Sequence, residues 1–143
     1  MVDHASTQGA AGSQRSVGRD VAVRSVVAAG LIDAAFIIVF AAIGRASHSE
    51  AQPVLESLSV AWPFLVGAAV GWAIAWFLLD RAPTSLVAGV AVWLATIVLG
   101  MSLRAATGRG IAVSFIIVAT LFLGLFLLGW RVILLLWRRR RTQ

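Results

Sequence analysis

Four apolar runs, at about residues 24–44, 58–79, 84–103 and 111–137, fill most of this chain and leave only short polar breaks between them. Each is close to or above the roughly 20 residues that cross about 30 Å of hydrocarbon at 1.5 Å per residue. Lipid offers no partner to backbone N–H and C=O groups, so a spanning segment must satisfy them internally or in a closed barrel. Runs of this length without alternating polarity read as helices. The fold class that follows is all-α, an integral membrane bundle of four transmembrane helices. Composition agrees, with 60% of residues hydrophobic and 13% charged, against about 45–50% and 25% in soluble domains. Mean hydropathy is +0.93.

The breaks carry residues that stop helices: Pro53 in the first, Arg81-Ala82-Pro83 in the second and Gly108-Arg109-Gly110 in the third. Thr84, directly after Pro83, is placed to cap the third helix. Residues 1–21 are rich in Gly, Ser, Ala and Gln with no apolar period, a composition that buries too little surface to order itself. They read as a disordered cytoplasmic tail before a transmembrane domain at 22–137, with a basic cytoplasmic tail at 138–143. The first run exceeds the roughly 7–15 apolar residues of a signal-peptide core and contains Asp33, which argues against cleavage.

Arginine carries all the positive charge, since the chain has no lysine. Arg15, Arg19, Arg24, Arg81 and Arg138 to Arg141 fall on one side of a four-span layout, against Arg45, Arg104 and Arg109 on the other. Cytoplasmic flanks retain positive charge, so both termini are expected to be cytoplasmic in a multi-pass protein of the cell membrane. Trp62 suits the outer interface, and Trp76, Trp130 and Trp137 the inner one. The basic C-tail can anchor topology and attract anionic lipid headgroups. Nucleic-acid binding is a poor reading, because the charge flanks spans and forms no patch on a folded domain.

With no cysteine, disulfides, thiolate metal sites and cysteine nucleophiles are all excluded. There is no Walker loop, nucleophile elbow, HExxH or dinucleotide fingerprint. An enzyme is not expected, nor a cofactor or a metal.

Asp33 is the residue that asks for an explanation. A carboxylate at a helix centre costs roughly 2.5–3.5 kcal/mol to insert, and each Val, Leu, Ile or Phe returns about 0.3–0.6 kcal/mol. Ten such residues lie between Val26 and Ile43, so the helix inserts, but the carboxylate must face the bundle, a partner or water. Ala29 and Gly30, on its face one turn earlier, let another helix approach closely. Depth proposes the partner. Asp33 is roughly 13 Å past Arg24, and Arg131 roughly 9 Å before Trp137 from the same side, a gap that arginine's length spans. A pair between helices 1 and 4 is one reading; the other has Arg131 reaching to the interface and Asp33 protonated.

Trp93, Thr96 and Arg104 share a face of helix 3 with Gly89 and Gly100, and Thr120 shares one of helix 4 with Gly124 and Arg131. With Asp33 these residues either line a polar cleft or are ordinary packing surface, Thr bonding its own backbone. Gly67 and Gly71 form a GxxxG in helix 2, a packing motif for another helix within the bundle or in a homo-oligomer. Arg45 and His48 mark an outer loop site, where one histidine falls short of a metal-ligand set.

The ordered motifs are Asp33 followed by GRASH, AWPFLVG at 61–67, GVAVWLATIVLGMSLR at 89–104, and SFIIVA with a closing GWR at 129–131. This pattern resembles the DUF3054 family, small four-helix membrane proteins found notably in actinobacteria. The resemblance covers the four helices and excludes both tails. It places the family pattern on Asp33, Arg45, His48, Trp62, Pro63, Trp93, Arg104, Trp130 and Arg131, and implies no activity.

Two functions fit these residues. One is a small ion- or proton-coupled transporter or channel using Asp33; the other is a non-transporting subunit or assembly factor that binds another membrane protein. The discriminating feature is whether the polar faces open onto a water-accessible cavity or close into a dry pair.

Overall fold

The computed structural model describes residues 4–46, 53–79 and 84–141, with side chains described for 23–44, 57–79 and 84–141. Four helices follow one another: α1 His4–Ala46, α2 Pro53–Phe77, α3 Leu86–Ala106 and α4 Val113–Arg140. Each contains a stretch long and apolar enough to span a membrane, at Val23–Gly44, Ser57–Phe77, Leu86–Ala106 and Val113–Arg140. These bounds lie close to those expected from the apolar runs. Among the described residues α2 packs on both α1 and α3, and α4 on both α3 and α1, so the helices close into a ring around one core.

The ends depart from expectation in two places. α1 continues helical back to His4, where composition predicts a disordered tail, because extending an existing helix avoids the cost of a new nucleus. The basic segment likewise prolongs α4 to Arg140, with the Arg141 guanidinium 4.0 Å over the Trp137 ring.

Caps also settle locally. Ser85, and not Thr84, caps α3: it is extended, and its Oγ accepts from the Ala88 N–H at 3.2 Å. At the other end of α3, Gly108 adopts φ +70°, the left-handed turn that glycine takes at no steric cost. The Gly108 N–H reaches the Ala105 carbonyl and the Arg109 N–H the Arg104 carbonyl, a Schellman closure that fixes where Arg109 leaves the helix.

Arg109 then repairs a defect in α2. Pro63 lies inside that helix and has no N–H to donate to the Ser59 carbonyl four residues back. Arg109 Nη1 donates there at 2.7 Å, and to Ser59 Oγ at 3.1 Å.

Small residues set how closely the helices approach. A Cβ on Gly71 would stand 2.6 Å from the Val92 Cα, and one on Gly67 2.8 Å from the Ala95 carbonyl oxygen. The GxxxG therefore packs α2 on α3 within the bundle. Around that seam the buried core holds Ile37, Phe64, Val92, Leu123 and Leu127. Phe40 joins three helices, its ring centroid 5.7 Å from Phe64, 6.0 Å from Phe115 and 5.5 Å from Phe122. The outward faces carry Leu31, Val113, Leu121, Leu125 and Ile133 exposed, an apolar girdle suited to lipid.

Candidate functional site

Helices α1, α2 and α4 meet at Asp33. It lies on the face of α1 that also buries Ala29, Ile37 and Phe40, and its side chain is 1% exposed. Arg131 lies on the buried stripe of α4 with Leu123 and Leu127. Its Nη1 donates to Asp33 Oδ1 at 2.9 Å and its Nη2 to Oδ2 at 2.8 Å, a two-pronged ion pair between buried side chains. The expected helix 1 to helix 4 pair is formed, and Arg131 does not reach for the interface.

Two tryptophans complete the carboxylate's shell. Trp130 Nε1 donates to Oδ1 at 2.9 Å and Trp72 Nε1 to Oδ2 at 3.1 Å. Each oxygen thus accepts two bonds, which uses the roughly four acceptor positions of an ionised carboxylate. Arg131 is fixed from its other sides. Its Nη1 also donates to the Leu127 carbonyl at 2.7 Å, and its guanidinium sits 4.4 Å over the Trp130 ring and 5.9 Å from that of Trp72.

α3 contributes room. A Cβ on Gly89 would lie 2.6 Å from Arg131 Cδ and 3.1 Å from its Nε. Taking two charges out of water is costly, and only a well-formed pair with its remaining lone pairs satisfied offsets that cost. Here the geometry meets both conditions, and what results is a buried, hydrogen-bonded knot.

The other expected polar residues are not drawn into it. Thr96 is fully buried and gives its hydroxyl to the Val92 carbonyl of its own helix at 2.6 Å, the back-bonding that an isolated threonine adopts in a span. Trp93 Nε1 donates to the Thr120 carbonyl at 3.2 Å, and its indole lies against Gly124. Both therefore fasten α3 to α4. Arg104 is roughly 22 Å further along α3 than Gly89; its Nε donates to the Gly110 carbonyl at 3.1 Å and its guanidinium stacks 4.3 Å over Phe115. The candidate cleft is thus resolved into separate structural contacts. The side chain of Arg45 and all of His48 lie outside the described residues. Among the described residues no group of three or more His, Cys, Asp or Glu gathers to hold a metal.

Trp72 was not singled out from sequence, and Trp130 was expected in an interfacial belt. A signal for Trp72 exists: it lies five residues before the end of α2, roughly 8 Å in from the same side, at a depth close to that of Arg131. An indole N–H at that depth needs an acceptor.

No curated protein and no solved structure matches the chain. A family model described as "Protein of unknown function (DUF3054)" matches residues 30–134. The matched segment includes Asp33, Trp72, Gly89, Trp130 and Arg131 and omits both termini. Covering most of the chain, that match makes this protein a member of the DUF3054 family.

Proposed function

We propose that this protein is a non-enzymatic, non-transporting subunit or assembly factor of the cell membrane, with both termini cytoplasmic. Its Asp33–Arg131 pair holds the bundle together while its outer faces meet lipid and another membrane protein. The observation that carries this reading is the closed shell of Asp33: four donors on two oxygens at 1% exposure. A proton or cation relay needs a carboxylate that water or an ion reaches in some state, and this one would have to break an ion pair and two indole bonds first. The arginine bias between the two ends supports the orientation. Exposed Arg138 to Arg141 suit anionic headgroups at the cytoplasmic face.

Ion-resolved flux in liposomes tests the reading, using wild type and Asp33→Asn across a pH gradient and a panel of cations and anions. The expected result is no flux above empty vesicles, with a second membrane protein co-purifying in fixed ratio from mild detergent. Flux in the wild type that Asp33→Asn abolishes, in a variant that still folds, would establish a transporter instead.

A further inference from the structure

The opposite end of the bundle is built differently. A cavity of about 210 Å³ lies there, walled by Phe40 and Ala41 of α1, Val60 of α2, Arg104 of α3, and Phe115 and Val118 of α4. It is far larger than one water needs, and of the side chains on its wall only that of Arg104 offers water a partner. Arg104 supplies the polar part. Its guanidinium is held by the Gly110 carbonyl and the Phe115 ring, yet its Nη1 is buried with no hydrogen-bond partner. Buried charged donors rarely go unpaired, and each exception calls for an explanation.

The second cation at this end, Arg109, adds like charge on Arg104. Among the residues whose side chains are described the one carboxylate is Asp33, which Arg131 already engages. A positive edge beside an apolar chamber is complementary to a molecule carrying an oxyanion at one end and an apolar chain at the other. We propose that this cavity binds such an amphiphilic oxyanion, a carboxylate or phosphate ester, with its head on the Arg104 guanidinium and its chain among Phe40, Val60, Phe115 and Val118. Val118 is also exposed on the flank of α4, so the chain has a way in from the side. The same chemistry is offered by a soluble amphiphile and by an anionic phospholipid.

Full-length protein in phosphatidylcholine nanodiscs is titrated with decanoate and decyl phosphate in one arm. In the other, the nanodiscs contain rising fractions of phosphatidylglycerol. Bound ligand is counted by native mass spectrometry and affinity measured by calorimetry. Saturable binding of one molecule per chain is expected, weakened at least tenfold by Arg104→Gln. Because Arg104 also holds the Gly110 turn, Val60→Phe is the second variant: it keeps the charge, fills the chamber and is expected to cost as much. Binding in the first arm assigns a soluble ligand, and retention of phosphatidylglycerol alone a lipid; both support the site. No saturable binding of any of the three probes, or binding that neither variant weakens in folded protein, overturns it. Sensitivity to Arg104→Gln with Val60→Phe unchanged also overturns it, since the anion would then sit on surface charge outside the cavity.

Discussion

Gly89 lies where a Cβ would stand 2.6 Å from Arg131 Cδ, so the ion pair between α1 and α4 depends on a missing side chain in α3. Arg131 cannot easily yield, being held by Asp33, the Leu127 carbonyl and the Trp130 ring. Gly89→Ala is expected to destabilise the bundle by about 1–3 kcal/mol, the usual cost of overpacking, despite alanine's better helix propensity. Gly129→Ala is the control, since nothing lies within 4 Å of its Cβ position, and it should be neutral or stabilising by up to about 1 kcal/mol. Reversible unfolding in mixed detergent measures both; equal effects would remove Gly89 from the site.

The two partners of the ion pair should fail together less badly than apart. Asp33→Asn or Arg131→Met alone leaves a buried charge unpaired and is expected to cost about 3–5 kcal/mol, whereas Asp33→Leu with Arg131→Met should cost far less. A double-mutant cycle on unfolding free energies reads the coupling. Additive losses would mean that the pair does not act as a unit.

The indoles of Trp72 and Trp130 each donate to the Asp33 carboxylate. Trp72→Phe keeps the ring and removes the donor, and is expected to cost about 1.5–3 kcal/mol, the range for a hydrogen bond to a charged group. In the Asp33→Leu, Arg131→Met background the same substitution should cost little. Thermal unfolding of the four proteins decides the matter, and a loss unchanged by background would assign Trp72 to packing alone.

Pro63 and Arg109 form a second linked pair. Arg109→Met is expected to destabilise by about 1.5–3 kcal/mol by removing the charged donor to the Ser59 carbonyl. Pro63→Ala restores a backbone N–H at the position that donates to that carbonyl, so Arg109→Met should then cost less. If Pro63→Ala gives no protection, the contact of Arg109 with Ser59 is incidental to the proline.

Gly71 meets backbone, not a flexible side chain: its Cβ would stand 2.6 Å from the Val92 Cα and 3.1 Å from the Ala91 carbonyl oxygen. Gly71→Leu should force α2 from α3 and cost about 3 kcal/mol or more. Loss of monodispersity on size exclusion, or a fallen midpoint of unfolding, reports it; wild-type behaviour would show that the seam is looser than its geometry.

The apolar runs by themselves determined four helices and their approximate bounds, because hydrocarbon admits only backbone that satisfies itself and fixes the length that does so. They also determined that Asp33 must find a partner and, through matched depth, that Arg131 was within reach. Rotation of each helix about its axis was left undetermined. Helices that are apolar nearly all round give little period to orient them, so Thr96, Trp93 and Arg104 shared a face with Gly89 in the sequence, yet Gly89 alone meets the ion pair. Only the tertiary structure decided that Trp72 would face Asp33 and that Trp130 would turn inward from the interface. The reason is steric: where Gly67, Gly71 and Gly89 let neighbours close in, the helices settle against one another, and the few polar atoms carried into that contact must bond to whatever stands opposite.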